Sequence, residues 1–374
     1  MANFFTQLFG TLVGPQKTPS VIGLDIGSSS AKVVQLKKVG GKAVLETYGE
    51  IALGPYGNTE VGRSAVLSTE KLAEAVKDLL RESNTTTMNC GLSIPIGASF
   101  VVFIHLPTEN QHQLAEMVPI EARKYIPVPI SEVYLDWWAM PKDESTVSEY
   151  QNGQESAAEV KGTEVLLVVI HNDVITRNRD VEKLAGLATT FSEVEIFSSI
   201  RASIESGIAP QMIIDFGAAT TKMFIVERGI LRASHVINRG SQDITLSISK
   251  SMSIPFDEAE KIKRTHGIAE KDGDVDVASV SSVTVDYIFA EAGRFVLSYY
   301  KKSNKKIAKI IMTGGGSLLP GMKERAQSAF ETPVEIANPF SKVEYPAFLE
   351  KVLTTAGPEF TVAIGLAIRK LQEL

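Results

Sequence analysis

Residues 21–32 read VIGLDIGSSSAK, and this stretch decides the fold. Apolar residues lead to Asp25, Gly27 follows two positions later, and three serines precede a second apolar run that begins at Ala31. Apolar runs separated by a short Gly- and Ser-containing segment are typical of a β-hairpin. The stretch therefore predicts two strands, 21–25 and 31–36, joined by a turn with a carboxylate beside it.

The same arrangement occurs a second time. Residues 212–222 read MIIDFGAATTK, so Asp215 and Gly217 stand where Asp25 and Gly27 stand in the first copy, and each copy ends in a lysine. Internal repetition indicates a duplicated structural unit. We therefore predict an α/β protein with two related lobes that face each other across a cleft, each hairpin turn pointing inward.

A third glycine-rich turn follows a predicted strand, because residues 311–317 read IMTGGGS. Glycine lets backbone N–H groups approach a phosphate, and several such donors together form an anion site. Asp25 and Asp215 are candidate ligands for a hydrated Mg²⁺, which prefers oxygen ligands. Neither a P-loop nor a dinucleotide-binding GxGxxG pattern is present. The three turns therefore predict a different kind of nucleotide site.

These turns resemble, in order and spacing, the phosphate-1, phosphate-2 and adenosine motifs of the actin-like ATPase superfamily. Within it, the chain is similar over essentially its whole length to the PilM family of type IV pilus assembly. That similarity includes EARKYIP at 121–127, AGL at 185–187 and AIGLA at 363–367. The resemblance implies a two-lobed actin-like (ribonuclease H-like) fold with an inserted subdomain, and ATP with Mg²⁺ as cofactors.

The resemblance also implies a role for each motif residue. The implied nucleotide-binding residues are Gly27, Ser28, Ser29, Ser30 and Lys32 at the β- and γ-phosphates, Gly217, Ala218, Ala219, Thr220 and Thr221 on their other side, Glu260 and Lys263 at the ribose and base, and Gly314, Gly315, Gly316 and Ser317 beneath the base. Two alternatives stay open: Lys32 as a solvated strand lysine, and Glu260 with Lys263 as an ion pair that only supports its helix.

The chain departs from the family pattern in the second turn. An acidic residue is expected after the glycine there, whereas this chain has Ala218. Metal coordination would then depend on Asp25, Asp215 and water, so any ATP hydrolysis is expected to be slow. The resemblance places the water-orienting, catalytic position near Glu195; a surface glutamate is the alternative.

The pattern along the chain predicts five segments. They are an amphipathic N-terminal segment and linker at 1–20, the start of the first lobe at 21–87, an inserted subdomain at 88–190 with a flexible loop at 141–162, the second lobe at 191–356, and a C-terminal helix at 357–374 that returns to the first lobe. The apolar face of residues 4–13 has no Lys or Arg, which favours contact with protein over contact with anionic lipid.

Composition excludes several classes of function. The 374 residues contain 38 Lys+Arg and 44 Asp+Glu, so we expect no basic stripe and no nucleic-acid partner. The single cysteine, Cys90, excludes an internal disulfide and a multi-cysteine zinc site, which fits a reducing compartment. No apolar run reaches the roughly 20 residues that span a bilayer. We therefore expect a cytoplasmic protein without a transmembrane segment. The resemblance to the PilM family implies a peripheral location at the inner face of the inner membrane.

Partners follow from the resemblance. A PilM-like scaffold would bind the cytoplasmic N-terminal tail of an inner-membrane, PilN-like protein on the inserted subdomain, and would contact other pilus assembly proteins. Self-association is left open. Trp137 and Trp138, with Tyr134 nearby, are either core residues or anchors of a peptide groove. The alternative functions are an FtsA-like cell-division filament protein and a small-molecule kinase of the same superfamily.

Overall fold

The computed structural model describes residues 19–126, 128–141, 162–205, 207–268 and 277–373. The strands are β1 (Ser20–Ile26), β2 (Ser30–Val39), β3 (Lys42–Ala52), β4 (Asn89–Ile94), β5 (Ser99–Leu106), β6 (Val133–Ala139), β7 (Thr163–His171), β8 (Ala188–Val194), β9 (Gln211–Phe216), β10 (Thr221–Glu227), β11 (Ile230–Ile237), β12 (Lys309–Thr313) and β13 (Val334–Ile336). The helices are α1 (Thr69–Glu82), α2 (Gln111–Ala122), α3 (Asn172–Ala185), α4 (Glu195–Ser203), α5 (Ser241–Met252), α6 (Phe256–His266), α7 (Val277–Ser303), α8 (Met322–Phe330), α9 (Glu350–Ala356) and α10 (Thr361–Gln372).

The first lobe is a five-stranded sheet in the order β3-β2-β1-β4-β8. β1 pairs antiparallel with β2 and parallel with β4. Its apolar run is continuous because α1 covers one face of the sheet and α10 covers the other. Gly23 allows this packing, since a Cβ there would collide with the backbone carbonyl of Ala363 in α10.

The second lobe repeats this topology in a sheet of order β11-β10-β9-β12-β13. β9 and β10 form the antiparallel hairpin, and β12 lies parallel to β9 as β4 lies parallel to β1. Helices α5, α6, α7 and α8 contribute the apolar core on one face of this sheet. The predicted duplication is therefore confirmed, and the fold is the two-lobed actin-like α/β fold.

A third sheet, of order β5-β7-β6, lies between the two copies in sequence. One of its faces packs on α2. On the other face, Leu166 and Val168 belong to an apolar cluster that also contains Phe224 and Val226 of β10 and Ile200 of α4. We call this sheet with α2 the inserted block. The predicted inserted subdomain, 88–190, begins near β4 and ends near β8. Both strands belong to the first-lobe sheet and not to this third sheet.

The sequence pattern predicts a strand-like run at 90–105, a helix at 173–188 and a helix that begins at Ser199, and the structure differs from it at each. The strand-like run 90–105 is two strands, because a turn at Ile96–Ala98 separates β4 from β5. The helix predicted over 173–188 ends at Ala185, since Gly186 adopts a left-handed conformation (φ 75°) that caps it. The helix predicted from Ser199 begins at Glu195. The predicted N-terminal helix and almost all of the loop 141–162 lie outside the described residues.

No described helix is long and apolar enough to cross a bilayer.

Candidate functional site

The three glycine-rich turns converge on one cavity of about 640 Å³ between the lobes. The two hairpin turns have the same internal geometry: Gly27 N–H donates to the Ser30 carbonyl at 3.0 Å, and Gly217 N–H donates to the Thr220 carbonyl at 3.1 Å. Gly314 has a φ of +79°, and a Cβ there would come 2.5 Å from Asp215 Oδ1. Glycine is therefore required where this turn passes the carboxylate.

Most of the residues predicted for the nucleotide site line this cavity. The lining includes Asp25, Gly27, Ser28, Ser29, Ser30, Lys32, Glu195, Asp215, Gly217, Ala218, Thr220, Glu260, Lys263, Gly314, Gly315 and Gly316. Ala219, Thr221 and Ser317 are not among the lining residues. The Thr221 hydroxyl donates instead to the carbonyl of Arg239, which ties the start of β10 to the segment before α5. The Ser317 hydroxyl donates to the carbonyl of Gly314, so it holds its own turn in shape.

Three helices begin at this cavity. Glu195, Ser241 and Thr361 line it and are the first residues of α4, α5 and α10. The N-terminus of a helix carries partial positive charge, which favours an anion. In α5 the N–H groups of Ser241 and Gln242 donate to the carbonyls of Gly217 and Ala218, so this helix contributes through its dipole. With the glycine turns, these helix starts give the cavity the character of a phosphate site. The structure brings α4 and α5 to the cavity although the sequence analysis placed α4 later and did not predict α5.

Asp25 lies at the bottom of the cavity, at the end of β1. Its Oδ1 accepts a hydrogen bond from Ser93 Oγ at 2.8 Å, and the same hydroxyl oxygen accepts from the Ile26 N–H at 3.2 Å. Burial raises the pKa of Asp25 above its ordinary value. A cation placed next to Asp25 would therefore gain from, and stabilise, the charged carboxylate.

The two repeat lysines occupy equivalent cross-strand positions, Lys32 opposite Asp25 and Lys222 opposite Asp215. They bind different partners. Lys32 contacts Glu50 of β3 at 2.9 Å and Ser30 Oγ at 2.6 Å. Lys222 contacts Asp215 Oδ2 at 3.2 Å. No motif role is expected for Lys222, although it stands in the second copy where Lys32 stands in the first.

Glu195 links the cavity to the inserted block. Its Oε2 accepts from Lys222 Nζ at 2.6 Å, and its Oε1 accepts from the backbone N–H of Ile96 at 2.7 Å, in the turn that leads into β5. Burial raises the pKa of Glu195 above its ordinary value. Burial alone would lower the pKa of Lys222, but the carboxylates of Asp215 and Glu195 raise the pKa of this lysine overall. Glu195 is thus buried, which removes the surface alternative; a water-orienting role stays a prediction.

Glu260 and Lys263 of α6 form a buried ion pair at 2.7 Å. Thr245 Oγ1 donates to Glu260 at 2.6 Å, Arg264 Nε donates to Glu260 at 2.7 Å, and Lys263 donates to the Ser241 carbonyl at 3.2 Å. Burial raises the pKa of Glu260, but Lys263 and these donors hold it below its ordinary value overall. The pair is therefore more than a support for its own helix, because it joins α6 to α5 at the cavity wall.

A loop of the first lobe, residues 53–67, crosses to the second lobe beside this pair. The N–H of Ser64 donates to Gln242 Oε1 at 3.0 Å, and the Arg63 guanidinium lies 5.5 Å from the centre of the Phe256 ring. Gly62, at φ +89°, lies against the Glu260 side chain. The loop thus joins the lobes on one side of the cleft, and no motif in the sequence marked it.

Magnesium fits this site only together with the phosphates. Among the described residues, no cluster of three or more Asp, Glu, His or Cys side chains could hold a metal ion. Asp25 and Asp215 both line the cavity, and Mg²⁺ is commonly bound by one or two carboxylates plus substrate phosphates and water. To bind the metal, Asp215 would either lose its contact with Lys222 or use one carboxylate oxygen for the lysine and the other for the metal.

Further cavity residues were missed from the sequence. Glu50, Arg264 and Glu359 add charge, and residues of α9 form an apolar and basic wall that includes Lys351 and Val352. These residues follow no motif and are brought to the cavity by the fold alone.

Glu359 provides a test of the electrostatics in this cavity. Burial and the nearby Glu50 raise the pKa of Glu359, so this carboxyl group loses its proton at lower pH in the unfolded chain than in the folded protein. As pH rises above about 4, the free energy of unfolding should therefore fall in the native protein relative to Glu359→Gln. Denaturant unfolding across pH measures this, with the exposed Glu350→Gln as the matched control. If the free energies of unfolding of the native chain and of Glu359→Gln differ by the same amount at every pH, the prediction is contradicted.

The inserted block carries a second candidate site. β6 is an edge strand of its sheet, and its residues alternate between two faces. Trp137 packs toward α2, whereas Tyr134 and Trp138 lie on the other face, 55 % and 52 % exposed. The Trp138 ring lies 5.8 Å from that of Phe197 in α4. The two tryptophans therefore differ in environment: Trp137 packs in the core of the inserted block, and Trp138 is half exposed beside α4.

Comparison with known proteins agrees with this geometry. The sequence model of the family described as "Type IV pilus assembly protein PilM" matches residues 23–371. The chain belongs to the PilM family. A solved PilM-PilN type IV pilus biogenesis complex is similar, with 24 % identity, a TM-score of 0.78, and 94 % of this chain and 98 % of that chain covered.

More distant similarity extends to other actin-like proteins. MreB5 of Spiroplasma citri bound to AMPPNP has a TM-score of 0.51 at 14 % identity, covering 96 % of this chain and 98 % of that one. Cell division protein FtsA of Neisseria meningitidis serogroup B is 33 % identical over 175 residues, which are 41 % of this chain and 41 % of the relative. The chain thus spans less than half of that relative, whereas the PilM family match spans nearly the whole chain.

Proposed function

We propose that this chain binds ATP with Mg²⁺ in the interlobe cavity and acts as a scaffold of type IV pilus assembly. The observation that carries the nucleotide proposal is the convergence of three glycine turns and three helix N-termini on one cavity that also contains Asp25 and Asp215. Backbone N–H groups of the turns would bind the phosphates, and the two carboxylates would hold the metal. The metal would neutralise phosphate charge and orient the triphosphate.

The partner proposed for the inserted block is the cytoplasmic N-terminal tail of a PilN-like membrane protein. β6 offers the main-chain groups of an edge strand, and Tyr134, Trp138 and Phe197 offer an aromatic groove beside it. An extended tail can add a strand to such an edge and place one apolar side chain in such a groove. The solved complex of a family member with PilN supports this choice of partner.

Nucleotide binding would influence this partner through two connections. The loop 53–67 joins the lobes, and Glu195 joins Lys222 of the phosphate side to the Ile96 N–H that leads into β5. A ligand shifts such an arrangement only by its difference in affinity for the two states. We therefore expect ATP to change tail affinity only to the extent that it changes these contacts.

Asp215→Ala tests the nucleotide proposal. Loss of a direct metal ligand should weaken ATP binding in the presence of Mg²⁺ by about tenfold or more, since even indirect metal contacts are worth that much. Without Mg²⁺ the variant should bind ATP no more weakly than the native chain. Calorimetric titrations with Mg²⁺ and with a chelator measure both, with the exposed Asp257→Ala as the matched control. Equal Mg²⁺-dependent affinity in Asp215→Ala and the native chain would remove Asp215 from the site.

A further inference from the structure

A run of basic residues lies at the end of the second lobe that is opposite the cavity. β9 and β12 begin there side by side, and β10 ends there next to β9, whereas the glycine turns lie at the opposite end of the same strands. The chain between Ala292 and Lys309 contains no acidic residue, although the whole chain has a net charge of −6. Its basic residues are Arg294, Lys301, Lys302, Lys305, Lys306 and Lys309. The expectation of no basic stripe is therefore wrong at this one place.

Three of these lysines are not used by the fold. Lys305 pairs with Glu227 at 2.6 Å and Lys309 pairs with Glu335 at 2.9 Å. Within the part of the chain that the structure describes, Lys301, Lys302 and Lys306 are exposed and form no ion pair. Cations in the last turn of a helix stabilise its dipole, which accounts in part for Lys301 and Lys302. That explanation does not extend to Lys306, which lies beyond the end of α7.

Exposed apolar side chains flank these lysines. Leu297 and Tyr300 are exposed on α7, and Leu297 lies one turn before both Tyr300 and Lys301, so its side chain is a neighbour of each. Ile208 is 76 % exposed on the segment leading to Pro210, whose carbonyl accepts a hydrogen bond from the Ala308 N–H at 2.8 Å. We call these residues, Ile208, Leu297, Tyr300, Lys301, Lys302 and Lys306, the basic-apolar patch.

We propose that the basic-apolar patch binds the surface of an anionic membrane. Lysines on flexible stems interact with anionic headgroups, each contributing about 1 kcal/mol near such a surface. Exposed Leu, Ile and Tyr side chains can enter the boundary between lipid headgroups and acyl chains. The phosphodiester backbone of a nucleic acid has no such apolar region. The combination of lysines and exposed apolar side chains favours a lipid surface over a nucleic acid. The patch lies about 20 Å from the glycine turns, which is the length of a six-residue strand.

The test uses the full chain and sedimentation with vesicles of phosphatidylcholine, with or without phosphatidylglycerol. The native chain should bind only the anionic vesicles, and binding should weaken as salt is raised. The triple variant Lys301→Glu, Lys302→Glu, Lys306→Glu should lose at least about tenfold in apparent affinity. The matched control, Lys77→Glu, Lys183→Glu, Lys323→Glu, makes the same charge change at exposed lysines elsewhere and should lose much less.

Two further measurements keep the outcome clear. Deletion of residues 1–14 should leave patch-dependent vesicle binding in place, which separates the patch from the N-terminal segment. ATP affinity of the triple variant should equal that of the native chain, which shows that it is folded. Equal vesicle binding by the triple variant and the native chain overturns the proposal. Retention on duplex DNA or on an acidic protein without any vesicle binding also overturns it.

Discussion

Lys222→Met should lower the free energy of unfolding by about 3–5 kcal/mol, the usual cost of leaving buried charge without its partner. Lys222 is the cation that contacts both Asp215 and Glu195, and all three side chains are largely enclosed at the bottom of the cavity. Without it, the two carboxylates would face each other and Asp25 across a poorly hydrated space. Denaturant-induced unfolding of the native and variant chains measures the loss.

The loss should depend on pH in a defined direction. Burial already raises the pKa of Glu195, and removal of Lys222 removes an interaction that lowers it. Protonation of Glu195 therefore becomes easier in the variant, and the penalty should shrink as the pH falls from about 8 toward 5. A loss that grows at low pH would contradict this account.

Lys32→Met is the matched control for Lys222→Met. Lys32 occupies the equivalent cross-strand position, but its partner Glu50 has a side chain that is 36 % exposed, so water can replace the lost contact. We expect a clearly smaller loss of stability. If both variants lose the same amount, the bridge between Asp215 and Glu195 has no special importance.

Tyr134→Ala combined with Trp138→Ala should weaken binding of a labelled PilN-type tail peptide by about 30-fold or more. Aromatic residues at the centre of an interface commonly contribute 2 kcal/mol or more each, and these two lie on one face of the free edge strand β6. ATP affinity should be unchanged, because neither residue lines the interlobe cavity. Fluorescence anisotropy of the peptide measures the first effect and calorimetry the second.

Phe100→Ala is the matched control for the aromatic pair. Phe100 is 41 % exposed on β5, the opposite edge of the same three-stranded sheet, so its loss removes an exposed aromatic ring from the other edge. Peptide affinity should stay close to that of the native chain. A larger loss in Phe100→Ala than in the double variant would place the peptide on β5 and refute the groove at β6.

The sequence was sufficient to predict the duplicated hairpins and about half of the residues that line the cavity. An Asp at the end of an apolar strand followed by a Gly two residues later is a local pattern, and local patterns are readable from one chain. One error was avoidable on the same grounds, because Gly186 is a helix-ending signal. The two alternatives for Trp137 and Trp138 could also have been divided between them, since side chains at successive strand positions point to opposite faces. The run of lysines after Tyr300 is visible in the sequence, but the net charge of the whole chain, −6, does not reveal it.

Other features could not be read from the sequence. Glu195 appears as one acidic residue in a polar segment, and its burial depends on contacts with Lys222 and Ile96, which are distant in the chain. The link from Ser64 to Gln242 and the approach of α9 to the cavity also join distant segments without a motif. Such contacts follow from how lobes pack, which local propensity does not specify.

The division of the chain into domains remains a prediction, with one refinement that the sheets suggest. β4 and β8 complete the first sheet, so an inserted unit drawn from the topology would run between them rather than include them. The partner groove at Tyr134 and Trp138 would then lie where that unit meets α4 of the first lobe.

The structure of the full chain with a non-hydrolysable ATP analogue and Mg²⁺ tests the central claim most directly. We predict the triphosphate between the turns at Gly27 and Gly217, the metal within reach of Asp25 and Asp215, and the base beside Gly315. Glu195 should keep its contact with the Ile96 N–H while Lys222 moves toward the phosphates. An empty cavity at saturating analogue, or an analogue bound elsewhere on the chain, would contradict the account.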